Sequence, residues 1–193
     1  MVFFSFIFIG STHGFVDDFK KQEEIINKIS PEIVLCEELQ NIKLISKEDY
    51  ENILKKKRIS EMTAFSEVEK LIRLCYSKNI KLIGIDLLNY GFDNVLQEKV
   101  KNSARLSESE EKKLSQILRK REFHQLNVIK RYAHKSDKPV IIITGAWHLR
   151  TDSVILTNLS DYSLILPCNE RGDLLIKPPA EGEKIIYCEK KWQ

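Results

Sequence analysis

Two Gly-x-x-His motifs stand near opposite ends of the chain, Gly10-Ser11-Thr12-His13 and Gly145-Ala146-Trp147-His148. An imidazole titrates near neutrality, so it can serve as a general acid, a general base or a metal ligand. Each motif follows an apolar, β-prone run: Val2 to Ile9 in the first case, Pro139 to Thr144 in the second. Glycine at a strand end tolerates φ > 0 and lets another backbone come close. The histidine three residues on then sits just past the strand. A third apolar run, Ile33 to Cys36, ends in the pair Glu37-Glu38, and a fourth, Lys81 to Ile85, ends at Asp86. An unpaired carboxylate is expensive to bury, so one placed there must find a cation, a metal or hydrogen-bond donors. Ligands of open α/β sheets bind at the carboxyl ends of the strands. His13, Glu37, Asp86 and His148 therefore form a candidate cluster on one sheet edge. Glu37 and Glu38 stay as alternatives, because a one-residue change of register swaps which of them faces the site.

The elements that must position this cluster can be read from the pattern. The spacing predicts helices over Phe15–Ile29 and Glu61–Ser77, a short capped helix opened by Ser46-x-x-Asp49, and a helical segment over Gly91–Ala104. Ser107-x-x-Glu110 is a capping box that starts a long helix running to about His134. Leu114, Ile117, Leu118, Val128, Ile129 and Tyr132 make that helix's apolar stripe. Arg121 and Gln125 fall on the stripe and Glu122 falls beside it. The arginine either packs its stem and sends its head to water, or aims its head at the carboxylates or at a developing oxyanion. A short helix is expected over His148–Leu159. Short strand-like runs at Leu164–Leu166, Leu174–Lys177 and Ile185–Tyr187 follow, separated by prolines and glycines. Strand and helix alternate over most of the chain. The expected fold is α/β, a mostly parallel central sheet flanked by helices, with a short β-rich C-terminal extension. One domain is expected over 1–193, with its core at about 1–160 and the extension at about 161–193.

Composition narrows the function classes. The 193 residues are 42% hydrophobic and 31% charged, with 31 basic and 28 acidic side chains and a formal net charge of +3. That balance gives no case for nucleic acid as a partner. The run Lys55-Lys56-Lys57-Arg58 reads as a solvated helix end or loop. The four cysteines are widely spaced and form no Cys-x-x-Cys, so buried free thiols are expected, which fits a reducing cytoplasm. The apolar start lacks the basic flank and the cleavage pattern of a signal peptide and is read as a first, buried strand. No run approaches the roughly 20 apolar residues of a membrane span.

Taken in order, Gly10-Ser11-Thr12-His13, the Pro31-x-x-Val34-x-x-Glu37 strand, Asp86, Arg121-Glu122 and Gly145-Ala146-Trp147-His148-Leu149 resemble the TraB/PrgY, Tiki and GumN group. That group belongs to a wider superfamily with erythromycin esterase-like and ChaN-like proteins. The resemblance runs from about Met1 to about Ser160. It implies an α/β core with the paired Gly-x-x-His motifs and a glutamate at the active site. By analogy with the Tiki branch, His13, Glu37 and His148 would be ligands of a divalent metal, and Arg121 would match the arginine of the long helix. The His13-Gly14 pair is closer to the esterase-like branch, where histidine and glutamate act as acid/base groups.

The leading expectation is a hydrolase of a peptide or small ester. A divalent ion would be held by His13, Glu37 and His148, with manganese, cobalt, zinc and iron all compatible with the donor set. Glu38 or Asp86 would take the proton from water, and Arg121, with Glu122 beside it, would face the oxyanion. Two rivals are a metal-free His/Glu esterase and a non-catalytic module that binds a peptide or small anion. A homo-oligomer is compatible with the sequence.

Overall fold

The run Phe6–Ser11 forms the first strand, β1, because its apolar side chains can be buried on both faces. The computed structural model describes residues 5–12, 17–55, 65–102, 104–133, 135–168, 171, 173–179 and 183–188. His13, Gly14, His134 and the basic run beyond Lys55 lie outside the described residues. The chain continues through α1 (Asp17–Ile29), β2 (Ile33–Cys36), β3 (Lys43–Leu44), α2 (Lys47–Lys55), α3 (Phe65–Ser77) and β4 (Lys81–Gly84). Then come α4 (Asn94–Lys101), α5 (Glu108–Tyr132), β5 (Val140–Gly145), β6 (Tyr162–Cys168) and β7 (Glu183–Cys188).

The strands form a single seven-stranded sheet in the order β3-β4-β2-β5-β1-β6-β7. Every pairing is parallel except that of the two-residue β3 with β4. The protein is therefore α/β with a mostly parallel sheet. Parallel strands all end on one edge, so the segments after β4, β2, β5 and β1 emerge side by side there. Gly10 pairs with Thr144 and Ser11 with Gly145, which makes the two Gly-x-x-His motifs neighbours.

Side-chain alternation divides the core. Ile9, Val34, Cys36, Ile141 and Ile143 pack on one face against Ile26, Leu71, Ile72 and Cys75 of α1 and α3. Phe8, Leu35, Ile142 and Leu164 face the other way, against Leu126, Val128 and Ile129 of α5. The capping box at Ser107 and Glu110 closes on itself at the start of α5. Asp49 accepts from the backbone N–H groups of Ile45 and Ser46 and so caps α2.

Three expectations are corrected. His148–Leu159 is not one helix but a 3-10 turn over Ala146–Leu149, a loop, and a second 3-10 turn over Leu156–Asn158. Leu174–Lys177 forms no strand, only an isolated bridge between Leu174 and Cys168. Cys168 is disulfide-bonded, with Cys188 opposite it in register, while Cys36 and Cys75 are free. Cysteine usage therefore no longer argues for a reducing compartment. No helix among the described residues is long and apolar enough to cross a membrane.

Candidate functional site

The glycine of the first motif is needed for proximity rather than for a left-handed backbone. A Cβ on Gly10 would stand 3.3 Å from Cα and Cβ of Ala146 and 3.1 Å from Cδ of Pro167. Gly10 thus lets the 3-10 turn of the second motif settle against the end of β1. Gly145 has φ −55°, an ordinary value for any residue. Beyond Gly10, Asp18 of α1 fixes the chain. It is buried and accepts from Ser11 Oγ at 2.9 Å, Thr12 N–H at 2.7 Å and Thr12 Oγ1 at 3.0 Å. This acid serves the strand end more directly than the helix dipole.

Glu37 follows β2 and is 4% exposed. Its Oε2 accepts from Thr144 Oγ1 and from the Gly145 N–H, both at 2.6 Å, and so locks it to the end of β5. Its Oε1 accepts from Arg121 Nη2 at 2.6 Å and lies 3.3 Å from His148 Nε2. Asp86 is fully buried. It takes Arg121 through Nε at 3.0 Å and Nη2 at 2.6 Å, Gln125 Nε2 at 3.0 Å, and the Leu87 N–H at 2.7 Å. Arg121 and Gln125 are one helical turn apart on α5, which is why both reach the same carboxylate. Glu122, the next residue round the helix, lies 3.2 Å from His148 Nδ1. It also accepts from Arg150 Nη1 at 2.5 Å and the Val154 N–H at 3.1 Å.

These groups form a chain of alternating charge: Asp86, Arg121, Glu37, His148, Glu122, Arg150. Three carboxylates face three cations, so the buried cluster is neutral overall when His148 is protonated. Burial works against the imidazolium, but the Glu37 charge and the hydrogen bonds to Glu122 and Glu37 outweigh it and raise the His148 pKa to about 9. Burial likewise pushes the Glu122 carboxyl up, and its bonds to His148, Arg150 and the Val154 N–H bring it below its ordinary value. Arg121 is disfavoured by burial and held cationic by Asp86 and Glu37.

Tyr90 closes the cluster from above. Its ring centroid is 4.9 Å from the Arg121 guanidinium carbon. Asn89 and Tyr90 both have left-handed backbones, φ 52° and 53°. A left-handed backbone costs a side-chain-bearing residue about 1–2 kcal/mol, so about 2–4 kcal/mol for the two, and the cation–π contact, worth about 0.5–2 kcal/mol, offsets part of it. Glu38 is half-buried and accepts the Cys36 thiol at 3.0 Å. Its charge also acts on Tyr90.

Of the residues singled out from the sequence, the structure brings together Glu37, Asp86, Arg121, Glu122 and His148, and sets Glu38 at the side. Asp18, Thr144, Tyr90 and Arg150 join them without a sequence signal: each is ordinary for its local segment. The cluster opens into a cleft of about 400 Å³ bordered by Ser11, Thr12, Arg121, Trp147 and His148. The Nη1 group of Arg121 makes no hydrogen bond among the described residues, so it can donate to a ligand oxygen.

Both oxygens of Glu37 accept hydrogen bonds and both nitrogens of His148 face carboxylates, whereas a ligating imidazole must offer an unprotonated nitrogen. Among the described residues no group of three or more His, Cys, Asp or Glu could hold an ion.

No protein-family model and no curated protein matches the sequence. Two solved structures resemble the fold. ChaN of Campylobacter jejuni, described in cofacial complex with heme, aligns with a TM-score of 0.55 at 10% identity, over 86% of this chain and 82% of that one. The type III effector HopBA1 aligns with a TM-score of 0.49 at 12% identity, over 85% and 77%. The chain thus has a ChaN-like fold, and the likeness to ChaN is one of fold alone.

Proposed function

We propose that the cleft is a metal-free acid/base site that hydrolyses a small ester or amide. The observation that supports this reading is the commitment of Glu37 and His148 to each other and to proton donors, beside an Arg121 N–H that remains open towards the cleft. Arg121 Nη1 receives the carbonyl oxygen of the substrate and the oxyanion that develops from it. The His148 imidazolium holds Glu37 and adds positive charge beside that oxygen. His13, which lies outside the described residues, follows the strand next to β5 and is the base in this reading. It takes a proton from water as the water oxygen attacks the carbonyl carbon, and returns it to the leaving group. A divalent-metal peptidase would need one nitrogen of His148 unprotonated and turned to the ion.

The test uses protein purified without a histidine tag. Its metal content is measured, and a panel of esters, lactones and peptides is assayed with and without chelator. Hydrolysis that persists in chelator, vanishes in His13→Ala and falls about 10²–10³-fold in Arg121→Lys is the expected result. Near-stoichiometric metal with chelator-sensitive turnover would return the site to the metallopeptidase class. Binding without turnover of any substrate would make it a recognition module.

A further inference from the structure

The cleft has two unlike kinds of lining. Its polar lining is Ser11, Thr12 and Glu37 from the strand ends, His148 from the turn after β5 and Arg121 from α5; its apolar lining is Leu118, one turn before Arg121 on α5, Trp147 beside His148, and Leu175 and Ile176. Trp147 is 59% exposed and Leu175 41%. Exposed apolar side chains gathered at one polar site need a reason, and a ligand that covers them is the common one.

Both apolar elements are held in place. The Arg150 guanidinium carbon lies 5.5 Å from the Trp147 ring centroid, and Arg150 is itself tied to Glu122. The Leu175 segment is anchored by the Leu174 bridge to Cys168. Thr151 also donates to the Lys177 carbonyl, through its N–H at 2.9 Å and its hydroxyl at 2.8 Å. A volume of about 400 Å³ is at the small end of the range for small-molecule sites, roughly 300–1,000 Å³.

We propose that this apolar wall is an acyl subsite, and that the substrate is a small neutral ester or amide with an uncharged aliphatic chain. The chain lies along Trp147, Leu118, Leu175 and Ile176 while the carbonyl points at Arg121. This deepens the hydrolase reading and rests on it for the reaction, but not for the binding preference. Each methylene taken out of water adds about fourfold in affinity until the wall is covered.

Two measurements separate the claims. The first is kcat/KM for 4-nitrophenyl acetate, butyrate, hexanoate and octanoate; the second is calorimetric affinity of the His13→Ala variant, which lacks the base, for acetamide and hexanamide. The expected result is a rise of about fifteenfold for each added pair of methylenes until the wall is covered. Trp147→Ala and Leu175→Asp, both at exposed positions, should flatten that rise. Hydrolysis with no dependence on chain length, and equal affinity for the two amides, overturns the acyl subsite and leaves the hydrolase standing. No hydrolysis, with hexanamide bound far more tightly than acetamide in a Trp147-dependent way, keeps the subsite and overturns the hydrolase. Failure of both overturns both.

Discussion

The His148 proton provides a direct test of the buried charge chain. Its pKa of about 9 lies about 2.5 units above the ordinary histidine value of about 6.5, equivalent to about 3 kcal/mol of preference for the charged form in the folded state. Because the folded value is the higher one, this contribution is fully present below about pH 6.5. It shrinks by about 1.4 kcal/mol for each pH unit from there upwards and is gone above about pH 9. The assay is urea unfolding at pH steps from 6 to 10, beside an NMR titration of the His148 ring with the His148→Gln variant as assignment control. The parent should lose about 3 kcal/mol more than His148→Gln across that window. In Glu37→Gln, which removes the charge that raises the His148 pKa most, the ring's midpoint should move down towards neutrality. A parent midpoint at or below 6.5, or equal pH dependence in parent and His148→Gln, would refute the reasoning and reopen His148 as a metal ligand.

Other outcomes follow from particular contacts. Arg121→Met strands Glu37 and Asp86 as buried charges without their shared cation and should cost about 3–5 kcal/mol in denaturant unfolding; a loss below 1 kcal/mol would show that the cluster is wetter than its geometry implies. Gly84→Ala places a Cβ 2.2 Å from the Gln40 carbonyl oxygen and should lower stability by about 1–3 kcal/mol, read from the thermal midpoint. Alkylation of denatured, unreduced protein should label Cys36 and Cys75 and leave Cys168 unlabelled in the mass spectrum; a labelled Cys168 would contradict the disulfide. Reduction of that disulfide should cost about 2–4 kcal/mol in the same unfolding assay.

Much of the sheet was legible because its strands are fully apolar runs, and a run such as Ile33–Cys36 or Val140–Ile143 has few alternatives to a buried parallel strand. The charges at the ends of those runs were legible for the same reason: Glu37, Asp86 and His148 stand out against what precedes them. The choice between Glu37 and Glu38 required the register. Leu35 packs towards α5, and Glu37, two residues on, continues towards that side and meets Arg121. Glu122 looked peripheral by helical spacing because its partners, His148 and Arg150, come from an irregular turn with no periodic pattern. The loop from Arg150 to Leu159 was misread as a helix since its apolar residues, Val154, Ile155, Leu156 and Leu159, fall close to helical spacing while serving two separate turns. The Cys168 disulfide escaped the sequence reading because no local pattern records which distant cysteine the fold brings to it.

The strand order has a consequence for how the molecule is made. β1 precedes the other six strands along the chain, yet its two neighbours are β5 and β6, which begin at Val140 and Tyr162. β2 and β4 can pair early, but the strand that joins them to β1 arrives late. Until then Phe6, Phe8 and Ile9 have no sheet to enter. A long-range topology of this kind folds slowly and leaves an unpaired apolar edge open to other chains. Yield of soluble protein should therefore depend on synthesis rate and on chaperone supply. Chains truncated before Val140 should aggregate rather than retain a partial cleft, because Thr144, Gly145 and His148 complete it only when the central strand inserts.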